Sequence, residues 1–196
     1  MSFRIIFTGL AVLFIGLACV KIETGPETGE QSRETSELRA RDFRVNWANR
    51  FSASSPFKKA VLLKDLIDSV SVQYIRYGYR VVDEWQQGNT GRGTVIADSE
   101  MREVVTRWNE DEQPVIEAYE EVMEYSLNEI KRTNHFDSGV IQLLEQNIEH
   151  FYKINSGVFL PSGTVDDYEF RLEELRVEQE DLSSRLAEKL VKYRNS

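Results

Sequence analysis

The residue types that most often carry chemistry are scarce in this chain. It contains one cysteine, Cys19, and two histidines, His135 and His150, among 196 residues. A single cysteine excludes an intramolecular disulfide and a zinc site built on several thiolates. Metal sites in helical bundles often use Glu-x-x-His spacing, but neither histidine has a glutamate three residues before it. No Gly-x-Ser-x-Gly segment indicates a serine nucleophile. We therefore expect no catalytic residue, no metal and no cofactor.

The densest group of ionisable side chains is acidic. Residues 98–132 contain eleven acidic and four basic residues. Four of the carboxylates form a candidate partner-binding face on one side of a predicted helix: Glu117, Glu120, Glu121 and Glu124. Like charges four residues apart cost only about 0.2–0.5 kcal/mol per pair, so a solvated helix surface tolerates them without any function.

Two other interpretations of this acidic face stay open. It could pair with basic residues of the preceding helix, namely Lys58, Lys59, Lys64, Arg76 and Arg80. Alternatively, it could bind a basic protein partner. Because we expect these carboxylates to be exposed, no burial should raise their pKa, which makes them poor general acids.

Cys19 stands near the end of an apolar run. Residues 5–20 carry no charge, Arg4 precedes them and Lys21 follows them. This run is shorter than the roughly 20 apolar residues of a membrane-spanning helix. A short apolar run behind a cationic start is typical of a secretory signal, and an uncleaved N-terminal anchor is the alternative. The sequence therefore predicts an exported protein.

The segment Gly16-Leu17-Ala18-Cys19 resembles the lipobox of bacterial lipoproteins. The resemblance covers residues 1–19 and implies that a signal peptide, 1–18, is removed and that Cys19 becomes the first mature residue and is lipidated. It implies a membrane-anchored location in the cell envelope, on the periplasmic or extracellular side. Gly16 stands where this family prefers leucine. Gly16 and Ala18 also satisfy the small-x-small rule of ordinary signal peptidase, which would cut at the same bond.

A polar segment separates the cysteine from the rest of the chain. Residues 22–37 are rich in Glu, Thr, Gly and Ser and nearly free of large apolar groups. Such a composition buries too little surface to offset the entropy of ordering. We expect a flexible tether over residues 19–35 and one helical domain over residues 36–196, a length that can bury a real core.

Apolar spacing predicts an all-α protein, an antiparallel bundle of four to five helices. Phe43, Trp47 and Phe51 form one stripe of a first helix. We expect this helix to pack on the core, and its arginines make a position on a membrane surface the alternative. Ser55 and Pro56 then provide the cap and first residue of a second helix, which runs to about residue 87.

Two features of the middle helices are ambiguous. Residues 70–82 alternate as a strand would, but few other segments could pair with them, so we expect helix with Gly78 as a weak point. Residues 88–94, GNTGRGT, match neither a P-loop nor a dinucleotide fingerprint and are predicted to be an interhelical loop. Pro114 should kink or split the long helix that follows, near Glu110.

The C-terminal third predicts two more helices. The first covers residues 139–154, followed by a break in which residues 158–160 plug one end of the core. Thr164 and Asp167 resemble a capping box at the start of the last helix. Its residues then follow a heptad seam: Tyr168, Leu172, Leu175, Gln179, Leu182, Leu186, Lys189 and Tyr193. We expect this seam to pack within the bundle, with a dimeric coiled coil as the alternative.

Charge and composition narrow the function. The formal net charge is −9, and we expect such an acidic chain to bind nucleic acid poorly, because contacts to phosphates need clustered Lys and Arg. We expect a non-catalytic envelope protein that binds another protein or a wall component. The alternative is a bundle that binds a small ligand in an aromatic-lined core, with Tyr74, Tyr77, Tyr79 and Trp85 as the lining. An enzyme of unrecognised type is a third hypothesis.

Overall fold

The structure is a computed structural model that describes residues 29–91 and 98–194. These residues form five α-helices and no strand, which confirms the predicted all-α bundle. The helices are α1 (Gly29–Ser52), α2 (Pro56–Gly91), α3 (Asp98–Arg132), α4 (Ser138–Phe159) and α5 (Val165–Arg194). The predicted signal peptide and Cys19 lie outside the described residues, as do residues 92–97. The predicted loop over residues 88–94 is wrong for residues 88–91, which belong to α2.

Helices α2 to α5 form a four-helix bundle, and α1 lies on its outside against α3. Each of the four packs against the next, and α5 returns to α2. Helices α3 and α4 run in opposite directions. Tyr152 of α4 contacts Glu124 of α3, whereas Asn155, which is later in α4, contacts Glu120, which is earlier in α3. Among the described residues, no helix is both long and apolar enough to span a membrane.

Helix α1 begins earlier than the composition suggested. It starts at Gly29, so residues 29–35, expected in the tether, are helical. Its aromatic stripe is packed on α3 as expected: Trp47 and Phe51 are buried, and Phe43 meets Tyr119 edge-on with ring centroids 4.8 Å apart. Since these rings face the bundle, they are not available to a membrane surface.

Helix α2 resolves the ambiguity over residues 70–82 in favour of helix. Its start is as predicted, because the Lys58 backbone N–H donates to the Ser55 hydroxyl over 3.4 Å. Gly78 has a packing role that its helix propensity does not indicate. A Cβ placed on Gly78 would lie 2.6 Å from Cδ2 of Leu172, so α5 approaches α2 at a distance that only glycine allows.

Helix α3 has the predicted extent, whereas α4 is longer than predicted. Helix α3 runs through Pro114 as one continuous helix, so of the two predicted outcomes, a kink or a split, the split does not occur. Buried Val115 and Ile116 pack directly after the proline and offset the missing backbone hydrogen bond. Helix α4 continues to Phe159 rather than ending near residue 154; Phe159 is buried, whereas the adjacent Leu160 is 62% exposed.

Helix α5 has the predicted start and nearly the predicted seam. The Asp167 carboxylate accepts from the Thr164 N–H, and the Thr164 hydroxyl accepts from the Asp167 N–H, which is a capping box. Leu190 is buried near the C-terminal end of the seam, where Lys189 and Tyr193 were expected. The seam faces α2 and α4 of the same chain, as the intramolecular alternative required.

Candidate functional site: the α3–α4 cleft

The four carboxylates of the predicted acidic face have different partners. Glu121 forms an ion pair with Arg44 of α1 at 2.6 Å, and Glu117 accepts a hydrogen bond from Gln113 one turn earlier. Another ion pair, between Arg39 and Glu112, holds α1 to α3 nearby. The polar contacts of this face in the described structure therefore run to α1 and α4 and within α3, not to the basic residues of α2.

Glu120 and Glu124 join α3 to α4. The Tyr152 hydroxyl donates to Oε1 of Glu124 over 3.0 Å, and the Asn155 amide donates to Oε1 of Glu120 over 3.1 Å. Each contact links a carboxylate of one helix to a neutral donor of the other. These two carboxylates therefore help to hold the helix pair together rather than forming an open charged surface.

The pKa of Glu120 differs from the expectation that exposure leaves the acidic face unperturbed. Its side chain is half-buried, and burial raises its pKa above the ordinary value of 4.5. The hydrogen bond from Asn155 opposes this effect, whereas the charges of Glu117 and Glu124 add to it. The prediction that all four carboxylates are fully solvated, with no raised pKa, is therefore wrong for Glu120.

A cleft of about 220 Å³ lies beside these contacts, between α3 and α4. We call it the α3–α4 cleft. It is lined by Asn109, Gln113, Glu120, Tyr152, Asn155, Ser156, Phe159 and Leu160. The α3 members are spaced by four and seven residues and the α4 members by three and four, so each set occupies one face of its helix. Two helices thereby position three amides, two hydroxyls and a carboxyl around one opening.

Of the residues in this cleft, the sequence singled out Glu120 alone as a candidate binding residue. Asn109, Gln113, Asn155 and Ser156 were missed. Their helical spacing was visible, but polar residues at such spacing are ordinary on a solvated face. What makes them notable is the approach of α4 to α3, which no local pattern predicts.

Three of the four aromatic residues proposed to line a ligand site, Tyr74, Tyr77 and Trp85, lie in or against one core cluster. Tyr77 stacks on Trp108 with centroids 4.2 Å apart, and Tyr74 meets Phe159 edge-on at 5.0 Å. Trp85 is 2% exposed within the same core cluster. The rings of this group therefore pack against neighbouring core side chains.

Tyr79 instead reaches the surface. Its hydroxyl donates to Glu173 over 2.8 Å. Together with Asp166, Glu169, Phe170 and Glu173 it borders a wide depression of about 470 Å³ on the outside of α2 and α5. Glu173 is already held there by Arg176, and these hydrogen bonds lower its pKa to about 2. The depression is larger than the α3–α4 cleft, and both are open to solvent.

Both histidines contact residues of α5. His150 is completely buried, with Nε2 2.9 Å from the Leu175 carbonyl oxygen. Its Nδ1 lies 3.3 Å from a Glu178 carboxylate oxygen, a close approach that lacks the alignment of a hydrogen bond. The His135 backbone carbonyl accepts a hydrogen bond from the Tyr193 hydroxyl. Within residues 29–91 and 98–194, no three acidic, histidine or cysteine side chains form a group that could hold a metal ion.

Comparison with known proteins adds no relative. No protein-family model matches the chain, and neither the curated proteins nor the solved structures include a significant match.

Proposed function

We propose that this protein is an exported, lipid-anchored component of the cell envelope that acts by binding rather than by catalysis. The apolar run and lipobox-like residues 1–19 support export and attachment through Cys19. A covalent lipid suits an acidic chain, because an anionic membrane surface repels it. The polar residues that follow Cys19 separate the helical bundle from the membrane.

The observation that carries the binding role is the α3–α4 cleft. Its polar side chains lie on two helices that are held together by the Glu120–Asn155 and Glu124–Tyr152 hydrogen bonds. Binding sites on rigid elements keep their geometry without the entropic cost of ordering a loop. The neighbouring carboxylates Glu112 and Glu121 are engaged by arginines of α1, which favours a structural role for them.

The anchor is tested by mass spectrometry of the full chain produced in a bacterial host. We expect a mature N-terminus at Cys19 carrying diacylglycerol, with the protein in the membrane fraction. The Cys19→Ser variant should lose the lipid and leave that fraction. A wild-type chain that retains Met1, or that carries an unmodified Cys19, would refute the anchor.

The binding role is tested by site-specific photo-crosslinking in the same cells. A benzoylphenylalanine at position 113 lies in the cleft, whereas one at position 142 lies on the exposed side of α4. We expect a discrete cross-linked product from position 113 and none from position 142. Equal products from both positions, or none from either, would remove the cleft from the proposal.

A further inference from the structure

The chemistry of the α3–α4 cleft identifies a class of ligand. We propose that it binds a pyranose ring of a neutral glycan that carries hydroxyl or acetamido groups. This inference rests on the proposed function and specifies its ligand. It follows from three properties of the cleft: the state of its charges, its unused hydrogen-bonding groups and its size.

The first property is charge. Although α3 is strongly acidic, Glu121 and Glu124 are engaged by Arg44 and Tyr152, and Glu117 lies outside the cleft. Among the described residues, Glu120 alone contributes a carboxyl to the lining, and it is half-buried with an amide donor beside it. A site for a basic peptide would need several free carboxylates. A single partly desolvated carboxyl among amides instead suits the hydroxyl groups of a neutral ligand.

The second property is unused hydrogen-bonding capacity. Among the described residues, no group pairs with the Asn109 side-chain amide, which leaves both its donor and its acceptor available. Gln113 uses one N–H on Glu117, and Asn155 uses one on Glu120, so their carbonyl oxygens can still accept. Each amide therefore presents a donor and an acceptor, the pair that a sugar hydroxyl or an acetamido group complements.

The third property is size and apolar contact. The cleft volume of about 220 Å³ is below the roughly 300–1,000 Å³ of pockets that enclose drug-sized ligands, so it suits a single small ring. Leu160 is 62% exposed at one side of the cleft, and the half-buried Tyr152 ring borders another. A pyranose has an apolar C–H face and a polar rim of hydroxyls, which matches this combination of surfaces.

The experiment is an NMR titration of the mature full-length chain, labelled with nitrogen-15, in detergent. The probes are chitotriose, which carries acetamido groups, and cellotriose, which carries hydroxyls alone. We expect the side-chain NH₂ signals of Asn109, Gln113 and Asn155 to shift and saturate, with a Kd on the order of 1 mM because the cleft encloses little of the ligand. Saturation by both probes identifies the hydroxyls as the recognised groups, and by chitotriose alone identifies the acetamido group.

The matched variants separate the cleft from general effects of losing amides. N109A/Q113A removes two cleft amides, and binding should weaken by roughly three- to tenfold for each lost net hydrogen bond. N128A/Q142A removes one asparagine and one glutamine from exposed positions outside the cleft and should bind as the wild type does. Neither pair includes a buried residue, so circular dichroism should report folded protein for both.

Three outcomes would overturn the inference. The first is no saturable shift with either sugar, and the second is equal weakening by both double variants. The third is saturable binding of a decalysine peptide, lost in Glu117→Lys but kept in Glu174→Lys, which would assign the surface to a basic protein instead. In each case a lipid on Cys19 and a cross-link from position 113 would still stand, so failure of the sugar inference is distinct from failure of the proposed function.

Discussion

Gln179 of α5 donates a hydrogen bond from Nε2 to Oδ1 of Asp68 on α2, over 3.0 Å and across 111 residues of sequence. The same carboxylate accepts from the Ser183 hydroxyl at 2.8 Å and pairs with Lys64 at 2.6 Å. Asp68 is therefore the centre of a polar cluster between two helices, and Gln179, 3% exposed, is its buried member.

Because Asp68 is the centre of this cluster, its removal should lower the free energy of unfolding more than the removal of Gln179. Asp68→Ala leaves the Gln179 amide buried without its acceptor, and we expect the free energy of unfolding to fall by about 1–3 kcal/mol. Gln179→Leu removes a side chain whose Oε1 is already buried without a partner, and Asp68 keeps Lys64 and Ser183, so the loss should be under about 1 kcal/mol. Urea denaturation of both variants measures the difference. An equal loss in the two would contradict the central role of Asp68.

Replacement of Gly78 by alanine should destabilise the protein, although helix propensity alone predicts a gain in stability. Alanine is favoured over glycine by about 1 kcal/mol inside a helix. A Cβ at position 78 would nevertheless lie 2.6 and 2.9 Å from the two terminal methyls of Leu172, which is completely buried and has little room to move. Overpacking of this kind costs about 1–3 kcal/mol, so we expect a net destabilisation of Gly78→Ala by thermal or urea unfolding.

A double-mutant cycle tests the cause of that destabilisation. Leu172→Ala removes the methyls that the new Cβ would meet, so the effects of Gly78→Ala and Leu172→Ala should be less than additive. Strict additivity would show that the two residues do not clash.

A buried hydrogen bond helps to dock α1 on the bundle. The indole N–H of Trp47 donates to the Ser126 hydroxyl of α3 over 2.8 Å, and both residues are buried. Ser126→Ala leaves that N–H without an acceptor, and we expect a loss of about 1–3 kcal/mol in the free energy of unfolding. Ser69→Ala is the matched control, because its exposed hydroxyl bonds only to the carbonyl of Asp65 one turn earlier. A change in the control as large as that in Ser126→Ala would reject the docking role.

Glu120 predicts a pH-dependent effect on stability. Because burial raises its pKa, the folded state disfavours the charged form. That penalty is absent below the unfolded pKa, near 4.5, and is complete above the raised folded pKa. Glu120→Gln keeps an acceptor for Asn155 and cannot ionise, so the variant should be more stable than the wild type at pH 7, with the gain vanishing as the pH falls below about 4.5.

Urea denaturation at a series of pH values measures this effect. Glu174→Gln is the control for the removal of one negative charge, because Glu174 is exposed on α5 and does not contribute to the raised pKa of Glu120. A gain in Glu120→Gln that persists unchanged at pH 3 would show that ionisation of Glu120 is not its cause.

Much of the fold could be predicted because its signals are local. Ser55 with Pro56, and Thr164 with Asp167, specify where α2 and α5 begin, since a cap acts within one turn. Prediction failed where packing outweighs local composition. Residues 29–35 were expected in the tether but belong to α1, and α4 continues past residue 154 to the buried Phe159.

The candidate site likewise contains one residue that a local pattern identified and others that only tertiary packing brings together. Glu120 was identified from the charge pattern of its own helix, but its half-buried state depends on the approach of α4. Asn109, Gln113, Asn155 and Ser156 carry no distinctive local motif, and they become a cleft only when two helices bring them together.

By itself, the sequence determined the helical class, most helix starts and the face that each helix buries, and export remains a prediction from residues 1–19. The tertiary structure alone decided which helix covers which face: α1 on α3, Asp68 against Gln179, and α3 beside α4 at the cleft. The physical reason is that apolar spacing depends on the 3.6-residue period of one helix, whereas the choice of neighbour depends on how all the faces pack at once.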